Sequence, residues 1–166
     1  MLNKKILLEL EEYMAVNQSL DFTLQIDEII LYSEKSIMED LQNTEFEEFL
    51  QHHKKPSFKE ILFSFIDENG ASDAEIYKKA WIDRKHFSKI RSNPDYRPKK
   101  KTVLALAFAL ELDEQDTDIL LNAAGYSLSG SETFDLVILF CLEKRIYNIA
   151  EVNEALEHIG LNPLIC

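Results

Sequence analysis

The chain has 166 residues, 46% of them apolar, and a formal net charge of −12. That is enough apolar material to bury a sizeable core, either in one domain or in a small domain with an added helical bundle. The longest apolar run, residues 136–142, falls far short of the roughly 20 residues that a membrane span needs, and it reads as a buried helix.

No charged leader followed by an unbroken apolar segment opens the sequence. The two cysteines, Cys141 and Cys166, are too few for a disulfide framework. A reduced, soluble, cytoplasmic protein is the expectation. Only four glycines and four prolines punctuate the chain, and apolar residues recur at steps of three and four, so the predicted fold class is all-α.

The first predicted helix covers 3–16, with Ile6, Leu7, Leu10, Tyr13 and Met14 on one face. A break over 17–23 separates it from a second helix over 25–41, and a short helix over 46–52 continues that pattern. Next, Ser57 precedes Phe58 with Glu60 three residues on, the signature of a capping box, and Phe58, Ile61, Leu62 and Phe65 form the apolar face of a helix closed at Asn69-Gly70. Ser72 and Glu75 repeat the device at the head of a helix over 72–80 that turns Ile76 and Ala80 inward. Asp83 caps a helix over 83–92, in which Phe87 and Ile90 are the buried ridge.

The segment 93–98 holds two prolines and is predicted to be a rigid loop. Helices follow over 99–112 and over 114–124, the latter capped by Asp113 and stopped at Gly125. After a link at 127–131 come helices over 134–145 and 149–159, the last ended by Gly160.

Charge divides unevenly along this string of helices. Residues 1–53 carry 12 acidic and 3 basic side chains, and residues 102–166 carry 11 and 2. Between them, residues 54–101 hold 13 of the 18 Lys and Arg against 7 acids. An acidic chain thus has one cationic segment, able to present a local face to a polyanion. The predicted organisation is an acidic N-terminal helical region at 1–53, a helix-turn-helix domain at 54–126, and a C-terminal helical extension at 127–166 packed upon it.

The pair of helices over 72–92, hinged at Trp81, Ile82 and Asp83, resembles the lambda-repressor-like (XRE-type) helix-turn-helix class. In that class a Ser-x-x-Glu helix, a four-residue turn and a helix of Ile-Ser-x-Ile type recur; Phe87-Ser88-Lys89-Ile90 matches the last of these. A longer resemblance runs over about 57–164. It is to a bacterial helix-turn-helix module sometimes fused to macro domains, and its hallmark spans Ile82-Asp83-Arg84-Lys85 through Asn93-Pro94-Asp95-Tyr96. The resemblance implies a helix-turn-helix core with extra N-terminal and C-terminal helices and transfers no ligand. This chain departs from it at Trp81, where Gly or Asn is usual. A positive φ there costs a bulky residue on the order of 1 kcal/mol, and the expectation is that the Trp81 ring packs in the core.

On this reading the helix over 83–92 is the recognition helix of a DNA-binding transcription regulator. Arg84, Lys85 and His86 lie at the end that reaches base edges, with Ser88 and Lys89 following on the outer face. Arg91 and Tyr96 touch backbone, and Lys78, Lys79, Arg97, Lys99, Lys100 and Lys101 approach phosphates. The same surface admits a protein partner instead: an adaptor, a homodimer, or a module masked by its own acidic N-terminal helices. No enzyme, metal or cofactor is expected. His52-His53 are adjacent rather than at metal-binding helical spacing, His86 and His158 are isolated, and no phosphate loop or nucleophile elbow occurs.

Overall fold

The structure, a computed structural model, describes residues 43–166. The chain divides into two compact units, Met1–Lys54 and Lys55–Cys166. Of the first unit, residues 43–53 are described; they form a helix that includes the one predicted over 46–52. The helices predicted over 3–16 and 25–41, and the break between them, lie outside the described residues.

The second unit is built from seven helices and no strand: α1 (Phe58–Asn69), α2 (Asp73–Lys79), α3 (Arg84–Ser92), α4 (Lys100–Ala109), α5 (Glu114–Ala123), α6 (Thr133–Glu143) and α7 (Ile149–His158). The described part of the chain is therefore all-α. No helix among the described residues is long and apolar enough to cross a membrane.

Both predicted capping boxes form. Ser57 Oγ accepts from the Glu60 N–H while the Ser57 N–H donates to Glu60 Oε2 at 2.6 Å. Ser72 and Glu75 exchange the same pair of bonds at the head of α2. The Ser72 N–H and hydroxyl hold the Glu75 carboxyl below its ordinary pKa. Asp83, Asp113 and Asn148 cap α3, α5 and α7 through single side-chain acceptors.

Helix ends differ from the sequence reading. The predicted helices over 99–112 and 134–145 stop at Ala109 and Glu143, because Glu111 (φ 56°) and Arg145 (φ 56°) turn left-handed, as does Trp81 (φ 55°) after α2. At each of these turns the residue after the left-handed one is apolar and its N–H reaches back five residues: Ile82 to Tyr77 O at 2.9 Å, Leu112 to Ala107 O at 3.1 Å, Ile146 to Cys141 O at 2.8 Å. The left-handed residue donates to the carbonyl three before it, which completes a Schellman stop. Gly125-Tyr126 and Gly160-Leu161 close α5 and α7 in the same way with the residue expected there.

Helix α4 is the centre. Every residue from 102 to 109 is buried, and around it pack α2, α5 and α7, with α1 against α5 and α6 against α5 and α7. The first helix contributes Phe58, Leu62 and Ile66 to the core; Ile61 and Phe65, predicted for that face, are only partly buried. Residues 127–166 belong to the same compact unit as α1–α5. Their junction to it is polar. Asp135 is 1% exposed and accepts from Lys100 Nζ on both carboxylate oxygens at 2.7 Å and from the Ser129 N–H at 2.7 Å. At the chain end, Asn153 accepts from the Leu164 N–H and donates to Ile165 O, and Lys101 Nζ donates to Pro163 O.

The expectation that residues 136–142 are buried as a whole is corrected. Ile138, Cys141 and Leu142 face the core, but Leu136 is 47% and Phe140 52% exposed, because the seven apolar residues wrap right round α6 while the core covers one side of it. Burial also raises the pKa of the Cys141 thiol.

These contacts and turns predict the stability of three variants. Lys100→Ala strands the buried Asp135 carboxylate and lowers stability by about 3 kcal/mol. Asp135→Asn costs less, because the Lys100 side chain is 28% exposed and can turn its ammonium to water once the carboxylate is gone. Glu111→Gly removes left-handed strain at a site whose side chain makes an exposed ion pair to Lys79 at 3.5 Å, and raises stability by about 0.5–1 kcal/mol once the extra freedom of the unfolded glycine is set against it. Urea unfolding at constant m checks all three.

Candidate nucleic-acid interface

Helix α3 is anchored from within and polar without. Phe87 and Ile90 are buried; the Phe87 ring meets Phe63 edge-on at 6.2 Å and Tyr77 at 5.7 Å between centroids. The inward pair fixes which residues look out. Arg84, Lys85, Ser88, Lys89 and Ser92, at helical steps of one, three, one and three, line one open depression of about 550 Å³. Asp83, the only carboxylate between Glu75 and Asp95, is occupied as the cap and accepts from the His86 N–H at 2.9 Å. Among the described residues neither Arg84 nor Lys85 is paired with a carboxylate.

His86 and Tyr96 sit beside that stripe and belong together. The Tyr96 hydroxyl and His86 Nε2 are 3.0 Å apart, with the rings edge to face, and Lys89 Nζ lies 4.6 Å from the centre of the Tyr96 ring. Tyr96 thus ties the loop after α3 to two residues of the outer face.

Most of the remaining predicted contacts are engaged with the protein itself. Arg91 grips Asp73 at the head of α2 through Nε (2.7 Å) and Nη2 (2.8 Å), and its guanidinium lies over the Phe63 ring. Arg97 donates to Gly125 O at 3.0 Å and stacks on Tyr126, closing the end of α5; a Cβ at Gly125 would come within 2.9 Å of it. Lys100 is held by Asp135, and Lys101 by Pro163 O. Lys99 is exposed at the head of α4. Four of the ten predicted residues therefore share one stripe, two flank it, and four lie on the α2 side of α3 or on the segment leading into α4. Ser92, which the sequence reading omitted, completes the stripe; the spacing 84, 88, 92 was the signal.

The expectation that the Trp81 ring packs in the core is corrected as well. Trp81 is 49% exposed and borders a cavity of about 260 Å³ with Lys79, Glu111 and Tyr147. The backbone stop, rather than the ring, is what the turn uses. No group of three or more His, Cys, Asp or Glu side chains among the described residues is arranged to hold a metal ion.

Comparison with family models, with curated proteins and with solved structures finds no match. The resemblance to the XRE-type class therefore rests on the residues quoted above.

The division of labour is measurable without any ligand. Arg91→Ala removes a two-point ion pair and a stacked ring. Because both partners are partly exposed, the loss is about 1 kcal/mol. Arg84→Ala and Lys85→Ala change stability by less than about 0.5 kcal/mol. Chemical denaturation of the three variants separates fold-holding cations from free ones.

Proposed function

We propose that this protein is a helix-turn-helix regulator that contacts duplex DNA through α3. The single observation that carries the reading is the stripe of Arg84, Lys85, Ser88, Lys89 and Ser92 on the exposed side of a short, rigidly seated helix. A reader of the major groove must be held at a fixed angle by a second helix and must turn donors outward. Here α2 holds α3 through the turn at Trp81-Ile82-Asp83 and through the Arg91–Asp73 pair. The XRE resemblance over 72–92 supports the same reading.

Within that reading the residues take distinct roles. Arg84 and Lys85, at the N-terminal end of α3, are the candidates for base edges, since Arg and Lys offer donors that match guanine O6 and N7. Ser88, Lys89 and Ser92 follow the groove. Lys89 is pre-positioned by its contact with Tyr96, and His86 enters through its Tyr96 hydrogen bond. Lys78 and Lys99, exposed on either side of α3 in sequence, are the candidates for phosphates. Arg91, Arg97 and Lys100 support the interface from behind, because their head groups are already bonded within the fold.

The test is fluorescence anisotropy with labelled genomic duplex fragments at two salt concentrations. Three or four phosphate contacts predict a slope of about −0.9 per contact in log affinity against log salt, hence a loss of roughly 40- to 150-fold between about 50 and 200 mM. The triple variant Arg84→Ala/Lys85→Ala/Lys89→Ala is expected to bind at least tenfold more weakly and to flatten the slope, while Lys101→Ala binds like the wild type. Absence of binding at low salt, or binding indifferent to the triple variant, sinks the reading and leaves the stripe to a protein partner.

A further inference from the structure

Helix α6 carries two apolar faces, and α7 carries one apolar face and one mixed face. One face of each is in the core: Ile138, Cys141 and Leu142 on α6, Ile149, Val152 and Leu156 on α7. The other faces meet along an open groove of about 580 Å³. Its floor and walls are Leu136, Val137 and Phe140 from α6 with Ala155 and Ile159 from α7, and Leu136, Phe140 and Ile159 (53%) are about half exposed. The spacing on α6, 133, 136, 137 and 140, and on α7, 151, 154, 155, 158 and 159, is that of one helical stripe each, so the groove runs along both helices. A monomer gains nothing from leaving three large apolar side chains together in water, and such a patch rimmed by polar groups marks an interaction surface.

The rim states what kind of partner fits. Glu151 and Glu154 line the groove on the α7 side, with His158 at its end. Neither α6 nor α7 contains a Lys or Arg. One cation, Lys144, sits past the end of α6, 5.8 Å from the Phe140 ring centre and 3.9 Å from Glu143. We propose that this groove docks an amphipathic helix of a protein partner that has an apolar ridge flanked by Lys or Arg. The ridge fills the space over Leu136, Val137 and Phe140, and the flanking cations meet Glu151 and Glu154. The lined stretch of α6 spans eight residues, about 10 Å, so roughly two turns of the partner are engaged, with anchors at i, i+3 or i+4, and i+7. A second copy of this chain fits less well, because two-fold pairing of the groove brings Glu151 and Glu154 against the same carboxylates.

This inference is independent of the DNA reading, since it uses the far end of the chain and none of the α3 residues. The probe is an 18-residue labelled peptide with a Leu ridge at helical spacing and Lys on both flanks. Two controls accompany it: the same ridge with Glu flanks, and the Lys peptide with Ser in place of Leu. Binding to the full-length protein is followed by anisotropy.

The Leu/Lys peptide is expected to bind at least tenfold more tightly than either control and to lose at least tenfold on Phe140→Ser or Leu136→Ser. These surface changes leave the thermal midpoint near that of the wild type. Glu151→Lys/Glu154→Lys is expected to invert the preference toward the Glu-flanked peptide. The Arg84→Ala/Lys85→Ala/Lys89→Ala variant binds the peptide as the wild type does, whatever its behaviour toward DNA. Equal binding of the Leu and Ser peptides, or binding indifferent to Phe140→Ser, means charge attraction alone and overturns the proposal. Sedimentation showing a dimer that Phe140→Ser dissolves overturns it in favour of a second copy.

Discussion

Helix α4 has no side left for water, and the remainder of the unit is arranged around that fact. With residues 102–109 all buried, α4 must be covered on every face, and α2, α5 and α7 supply the cover. Each apolar side chain buried this way is worth about 1.5–3 kcal/mol, so omission of any one covering helix would expose several. The C-terminal pair is therefore part of the core rather than an appendage. Leu156 of α7 and Ile138 of α6 are as inaccessible as Leu104 and Leu106 of α4. The polar bond between Lys100 and Asp135 then sets orientation, because a carboxylate that deep accepts only one placement of the ammonium that satisfies it.

The turns show how such a helix can be enclosed by short connections. Trp81-Ile82-Asp83 and Glu111-Leu112-Asp113 are the same device twice: a left-handed residue, a buried apolar residue, and an aspartate that begins the next helix. The left-handed residue costs about 1–2 kcal/mol when it is not glycine. Burial of Ile82 or Leu112 offsets this, and the aspartate cap adds about 1 kcal/mol. The position that bears the strain is exposed, which is why Trp and Glu are tolerated there and why the Trp81 ring ends up outside.

Local chemistry was legible in the sequence, and distant chemistry was not. Ser57/Glu60, Ser72/Glu75 and the capping aspartates announce helix starts because their partners lie three residues away. Starts were accordingly read to within a residue. The spacing carries two helices past their ends at Ala109 and Glu143 because no glycine marks the left-handed stops at Glu111 and Arg145; the operative signal is the apolar residue after the stop. Among the cations, charge alone could not separate Lys99 from Lys100, since the carboxylate that captures Lys100 lies 35 residues on. In the same way Arg97 differs from Lys99 only through Gly125 and Tyr126, 28 and 29 residues away. The run at 136–142 was read as one buried segment because apolar content does not reveal how many sides a helix will have covered.

This separation of cations bears on what the proposed DNA contact can achieve. The segment 54–101 holds 13 basic residues, yet Arg91, Arg97, Lys100 and Lys101 are engaged with protein groups, and of the nine others only Arg84, Lys85 and Lys89 stand on the stripe itself. A handful of phosphate contacts supports affinities in the range of non-specific binding at physiological salt. Specific regulators gain the missing factor by placing two readers on one duplex, where the second contact profits from an effective concentration set by the linkage. On the readings proposed here, α3 supplies a weak contact and the α6–α7 groove supplies a means of recruiting another chain. An acidic rim suits that task, because it attracts a basic helix while repelling a duplex.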